Sequence, residues 1–227
     1  MESYVGTSGW AYGWNEGGNL AWYIERAGLP AVELNASFYR FPFPNQIAGW
    51  ARRGATLRWC VKVHRLITHR HRMNEAAREV WQRFLALFRP LDPRVEFYLL
   101  QLPPRFTDIA RILSFLEGAP SGEKIAVELR GRAVLEDDAF CQRVQERAVL
   151  VSVDSPEVKA RIFPADVVYL RLHGRTGWYS HDYTEAELRQ VAEALAGSGA
   201  EKALVFFNND HHMLENARRM REILGEY

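Results

Sequence analysis

Eight strand-like runs recur along this 227-residue chain, and a segment with helical spacing separates almost every run from the next. The runs are Tyr4–Ser8, Ala31–Asn35, Leu57–His64, Val95–Leu102, Lys124–Leu129, Ala148–Asp154, Val167–His173 and Lys202–Asn208. Between them, Asn74–Phe88 carries the clearest helical stripe, with Ala77, Val80, Trp81, Phe84, Leu85 and Phe88 on one face. Glu136–Arg147, Glu185–Ala196 and Met213–Leu224 read the same way, Pro44–Arg53 and Ile109–Glu117 are shorter, and Thr107 and Thr184 are expected caps. Only a short helix with a weak pattern is expected near Pro156–Phe163. Strands alternating with helices over the full length, without a linker or a change in composition, predict one α/β domain over residues 1–227. The expected architecture is a compact (β/α)8 barrel of the TIM type, with some helices short or missing. An open doubly wound sheet is the competing arrangement. Against it, the first strand leads into GTSGW rather than a GxGxxG turn.

Composition narrows the function classes. Lys and Arg total 29 against 28 Asp and Glu, a net charge of +1, so nothing global points to nucleic acid or an anionic membrane surface. Cys60 and Cys141 are the only cysteines, which argues against a disulfide framework or a thiolate zinc site. No apolar run of about 18 residues suggests a membrane span. The N-terminal residues resemble no signal peptide, so a cytoplasmic location is expected.

The stretch AVELNASFYRFP poses the functional question. Barrel strands are covered on both faces, so polar residues alternating with apolar ones occupy a buried face. If Val32 and Leu34 face the helices, Glu33, Asn35 and Ser37 point inward. The same sorting sends Lys62 and His64, Glu128 and Arg130, Ser152 and Asp154, Arg171 and His173, and Asn208 and Asp210 inward, while Gln101 closes the fourth strand. These residues gather at the C-terminal strand ends, where active sites of this fold lie. A purely structural ion-pair network is the alternative, but charge is costly to bury and Val or Leu would serve structure more simply.

The blocks VGTSGWAY, VELNASFYRFP, CVKVHRLITH, LLQLPPRF, AVELR, DSP, YLRLHG and FFNND, in this order, resemble the signatures of the DUF72 or YecE-like family over nearly the whole chain. The resemblance implies a TIM-barrel fold and a site, and supplies no reaction. It places the family pattern on Ser8, Gly9 and Trp10; on Glu33, Asn35, Phe38, Tyr39 and Arg40; and on Lys62 and His69. It continues through Gln101, Pro103, Pro104, Glu128, Arg130, Asp154, Ser155, Arg171, His173, Gly174, Asn208, Asn209 and Asp210. The chain departs from that pattern at Gly131 and Val134, where a His and a Trp are usual, and at His211, His212 and Met213, where a Gly-rich stretch with a His is usual.

Arg40, Lys62, Arg130, Arg171 and His173 suit the anionic part of a small metabolite, because guanidinium groups bind phosphate or carboxylate through paired hydrogen bonds. Glu33, Lys62, Glu128 and Asp210 are the candidates for acid/base chemistry, with Lys62 also a candidate Schiff-base nucleophile. Ser8, Trp10, Asn35, Phe38, Tyr39, Gln101, Asp154, Gly174, Asn208 and Asn209 are the candidate binding residues beside those cations. Trp14, Trp178, Tyr179 and Tyr183 add aromatic surface near the strand ends.

The leading reading is an enzyme of undetermined reaction on a small anionic substrate, without an organic cofactor. A metal-dependent hydrolase is the alternative among enzymes, with Glu33, Glu128, Asp154, His173, Asp210, His211 and His212 as available ligands. The sequence has no HExxH motif, and its HxH-like pair, His69 and His71, lies in a basic loop. A glycosidase ranks below these. A non-catalytic ligand sensor, or nucleic-acid binding by the basic run Arg65–Arg72, is the reading from a different class. The oligomeric state is open.

Overall fold

The computed structural model describes residues 1–119 and 124–227. In chain order its strands are β1 (Glu2–Thr7), β2 (Ala31–Leu34), β3 (Arg58–Lys62), β4 (Val95–Gln101), β5 (Ile125–Glu128), β6 (Val149–Leu150), β7 (Ser152–Asp154), β8 (Val167–Leu172) and β9 (Lys202–Phe207). The helices are α1 (Leu20–Trp22), α2 (Pro44–Arg53), α3 (Glu75–Phe88), α4 (Ile109–Glu117), α5 (Arg132–Leu135), α6 (Asp138–Gln145), α7 (Glu185–Ala196) and α8 (Met213–Leu224). Among the described residues the paired strands β1–β9 run parallel, giving a TIM-barrel-like α/β fold. No helix among the described residues is long and apolar enough to cross a membrane.

The chain packs as two compact units. The first comprises Met1–Glu33, Thr56–Arg58 and Val151–Tyr227. Its strands lie in the order β7, β8, β9, β1, β2. β1 and β9 pair along their whole lengths, from Glu2 with Lys202 to Thr7 with Phe207. Gly6 faces Ala31 of β2 so closely that a Cβ added there would stand 2.3 Å from the Ala31 carbonyl oxygen. Helix α7 starts at a reciprocal cap in which the Thr184 hydroxyl accepts from the Glu187 amide and the Glu187 carboxylate accepts from the Thr184 amide. Helix α8 buries Leu214, Ala217, Met220, Ile223 and Leu224.

The second unit comprises Leu34–Ala55 and Trp59–Leu150, with strands in the order β3, β4, β5, β6. Helix α3, capped by Asn74, lays Ala77, Val80, Trp81, Phe84 and Phe88 of the expected stripe into the core, while Leu85 stays partly exposed. There Trp81 and Phe84 stack at 6.1 Å, and both meet the ring of Tyr98 on β4 edge-on.

Four expectations need correction. The sixth expected strand is broken at Val151: Val149 and Leu150 pair with β5, whereas Ser152–Asp154 pair with β8. No helix forms over Pro156–Phe163; the Asp154 carboxylate accepts from the Ala160 amide and Val153 bridges Arg161, which holds the segment as a folded loop. Helix α4 is capped by Asp108 rather than Thr107, and the segment after β5 divides into α5 and α6, the latter capped by Asp137. At α4 and α6 a carboxylate beside the expected boundary offers its oxygen to the orphan amides of the first turn.

The Gly6 contact is with backbone atoms that cannot move aside, so Gly6→Ala is expected to cost about 1–3 kcal/mol by overpacking. Urea denaturation of the variant should show a lower midpoint at an unchanged slope.

Candidate functional site

In the first unit, strand alternation puts Tyr169 and Arg171 of β8 on the same face. β9 and β1 separate β8 from β2, a separation of about 14 Å in a flat sheet. Yet Arg171 Nη2 lies 2.7 Å from Glu33 Oε1, and both residues are fully buried. That face of the unit is therefore concave. The Ser8 hydroxyl donates to the same carboxylate oxygen at 2.7 Å, and the Tyr169 hydroxyl donates to the other. Glu33, Arg171 and Ser8 thus meet as the sequence suggested, with Tyr169 added. Glu33 is sealed by three donors, an arrangement that fixes a carboxylate in place.

Two further groups lie at the C-terminal strand ends of this unit. His173 is fully buried, 3.2 Å from Asn208 through Nδ1, with the rings of Trp178 and Tyr179 at 5.4 and 5.9 Å. Tyr179 adopts φ +67°, a left-handed conformation that is costly for an aromatic residue. Gly174 makes that turn possible: at φ +106° a Cβ would meet the Gly177 carbonyl oxygen at 2.5 Å. Asp154 receives Arg175 Nε at 3.1 and 3.0 Å on its two oxygens, the Tyr183 hydroxyl at 2.7 Å and the Ala160 amide at 2.7 Å. Its carboxylate anchors the loops after β7 and β8. Burial first, then the Asp154 charge, pushes the Tyr183 phenol well above its ordinary pKa, so it stays a donor.

Asn209 is buried and donates to the His181 carbonyl and to Asn216. Asp210, half-buried at φ +48°, accepts the Trp14 indole N–H through its backbone carbonyl. The Trp10 carbonyl accepts from Asn15, which shapes the loop after β1.

In the second unit, Lys62, Gln101 and Glu128 end the neighbouring strands β3, β4 and β5. Arg130 Nε stands 2.8 Å from the fully buried Glu128 carboxylate. Lys62, only 7% exposed, places its ammonium 4.2 Å from the centroid of the Phe38 ring. The His69 and Phe38 rings stand nearly perpendicular, with centroids 5.0 Å apart. Local structure delivers each of these groups. Asn35 leads into the single turn Ala36–Phe38, and the Ser37 hydroxyl donates to the Lys62 carbonyl at 2.6 Å, tying that turn to the end of β3. The π-helical turn Leu66–Arg70 then carries His69, with the Thr68 hydroxyl 2.9 Å from its Nδ1. Such turns often occur at functional sites. Burial, then the charges of Lys62, Arg130 and Arg65, hold the His69 imidazole below its ordinary pKa. Gln101 donates to the Leu102 carbonyl. Tyr39 is 65% exposed and touches Phe38 edge-on, while Arg40 lines a small surface recess with Pro42, Gln46 and Trp50.

Sequence reasoning missed Tyr169, Arg175 and His181. Tyr169 has the same strand parity as Arg171, a signal that was present. Arg175 and His181 lie in an irregular loop, where no period reveals which way a side chain turns. His181 links Thr176 Oγ1 at 2.9 Å to Glu187 Oε2 at 3.0 Å, securing the loop after β8 to the start of α7. Among the described residues, no three His, Cys, Asp or Glu side chains gather as a metal-ligand group.

Residues 4–227 match the family described as "Protein of unknown function DUF72". The Escherichia coli (strain K12) protein named "UPF0759 protein YecE" is 30% identical over 102 residues, which are 44% of this chain and 37% of that protein. The chain thus spans little more than a third of that relative. The crystal structure of a DUF72 family protein from Thermotoga maritima superposes with a TM-score of 0.83 at 24% identity, covering 99% of this chain and 100% of that one. A D-psicose 3-epimerase crystallised in the presence of D-fructose superposes with a TM-score of 0.51 at 12% identity, covering 99% and 100% of the two chains. At these identities the likeness is one of fold.

Removing one partner of a buried ion pair strands the other, so Glu33→Gln is expected to cost about 3–5 kcal/mol. The joint replacement Glu33→Leu with Arg171→Met should recover most of that loss, and a double-mutant cycle by urea denaturation measures the coupling. Separately, burial, reinforced by Arg65, outweighs a hydrogen bond with the Tyr39 backbone and lowers the His64 pKa as well. The unfolded chain therefore binds protons near pH 6.5 that folded His64 and His69 resist. Stability should fall as pH drops from about 7.5 toward 5.5, read as declining urea midpoints.

Proposed function

Taking as premise that the chain belongs to the DUF72 family, we propose that it is an enzyme acting by acid/base chemistry on a small metabolite that carries a phosphate or carboxylate group. The observation that supports this reading is the placement of two cationic side chains, Lys62 and Arg130, at the C-terminal ends of β3 and β5. Lys62 and Arg130 both act there on the imidazole of His69, beside the face of Phe38. Cations so nearly buried are costly to maintain, and an anionic ligand group relieves that cost. The Phe38 ring, with Tyr39 against it, gives the neutral part of the ligand a flat apolar surface.

In this reading Lys62 and Arg130 bind the anion. The incoming anion competes with Glu128 for the Arg130 guanidinium, and the carboxylate so released is the base that removes a proton from the substrate. Glu33, enclosed by Ser8, Tyr169 and Arg171, acts by holding the strands of its own unit in register. A molecule the size of a sugar phosphate meets these requirements.

Orthophosphate is the minimal probe. Lys62→Ala and Arg130→Ala should each weaken its binding about 10- to 100-fold in titration calorimetry, as expected for losing one charged hydrogen bond. Once a turned-over substrate is in hand, Glu128→Gln should remove activity while leaving orthophosphate affinity within a few-fold of the parent. Unchanged orthophosphate affinity in both cation variants would refute the reading.

A further inference from the structure

We propose that the loop after β3, with Arg105 and Tyr39 beside it, binds a single-stranded nucleic acid, its arginines on the phosphates and Tyr39 against a base. These residues are other than Lys62 and Arg130, so the inference goes beyond the proposed activity and stands apart from it.

Positive charge is concentrated here although the net charge of the chain is only +1. Between Glu33 and Glu75 there are eight Lys or Arg and no Asp or Glu. The loop folds part of that stretch tightly. The His71 amide donates to the Leu66 carbonyl at 2.8 Å, closing the π-helical turn, and the Met73 amide donates to the Ile67 carbonyl at 2.9 Å. Ile67, Thr68 and Met73 are buried, whereas Arg65, Arg70 and Arg72 are exposed. Arg65 precedes the turn and Arg70 ends it, so the two lie one turn apart. Arg72 and Met73 adopt φ of +49° and +58°, two successive left-handed residues without a glycine. That reversal tucks Met73 inward and leaves the Arg72 guanidinium carbon 5.0 Å from the centroid of the Phe106 ring. Arg105, next to Phe106 in the chain, is exposed. Backbone hydrogen bonds and one ring contact thus bring together four arginines from the loops after β3 and β4.

Their charge is not spent within the protein. Among the described residues, none of the four makes an ion pair. The carboxylates closest to them in sequence are committed elsewhere, Glu75 to Arg78 at 3.2 Å and Asp108 to Arg111 at 3.3 Å. Packing of the turn does not require them either, because Ile67, Thr68 and Met73 fill its buried side. Exposed guanidinium groups in this condition suit phosphates, which they hold through two parallel hydrogen bonds.

Tyr39 distinguishes a nucleic acid from an acidic peptide. Its exposed ring lies 5.1 Å from that of Phe38, which in turn lies 5.0 Å from His69 of the π-helical turn. An unpaired base stacks on such a ring while its phosphates meet the cations, and a duplex offers no free base face. An acidic peptide would use the arginines alone.

Fluorescence anisotropy with a short labelled oligothymidylate, titrated over a range of KCl concentrations, tests this. Four phosphate contacts on a single strand predict a slope of about −3 in log affinity against log salt. Arg70→Gln and Arg72→Gln should each reduce that slope by about 0.7. Tyr39→Ala should weaken binding about 5- to 150-fold at an unchanged slope, since stacking carries no counterion release. All three positions are exposed, so the variants are expected to fold, which circular dichroism checks. Absence of saturable binding, or binding that both arginine variants leave unchanged, would overturn the inference. So would equal binding of polyglutamate with no loss in Tyr39→Ala, which would make this surface a docking site for an acidic protein instead.

Discussion

A buried ion pair, Glu33 with Arg171, constrains the first unit more than any other contact. It joins two strands that have two others between them, and it forms only because the sheet curves toward it. Charge taken out of water needs full satisfaction, and Ser8 and Tyr169 complete it. Together the four residues bind three of the five strands of that unit, at β1, β2 and β8. A carboxylate so enclosed is a structural keystone.

The second unit uses charge differently. Glu128 and Arg130 form a close pair, while Lys62 rests on an aromatic face, and burial with nearby cations holds the His69 imidazole below its ordinary pKa. These groups come from a strand end, a residue just beyond another strand, and a π-helical turn. Irregular backbone at this point is what brings an imidazole from the loop against the strand ends. The loop after β8 shows the same economy: Asp154, Arg175 and Tyr183 consume one another's hydrogen-bonding capacity, leaving His173 flanked by Trp178 and Tyr179.

Much of this could be read from residue order. Helices α2, α4, α7 and α8 begin and end where the apolar spacing placed them, because Pro44, the Thr184 cap and the amphipathic stripes act locally. Polar parity on β2, β3, β5 and β8 correctly marked Glu33, Lys62, Glu128 and Arg171 as buried. Asp154 was marked as buried too, but its partner Arg175 lies in a loop whose path no pattern encodes. The break at Val151 was equally hidden, since Ala148–Asp154 reads as one continuous strand-like run.

The amino-acid order alone determined the alternation of strands with helices and which side chains would be polar on a covered face. Both follow from periods of 2 and 3.6 that act over a few residues. Tertiary structure decided which of those polar groups neutralise each other and which leave a net charge. That depends on sheet curvature and loop path, through distances of a few ångströms between residues far apart in the chain, and Coulomb energy in a dry interior changes steeply over such distances.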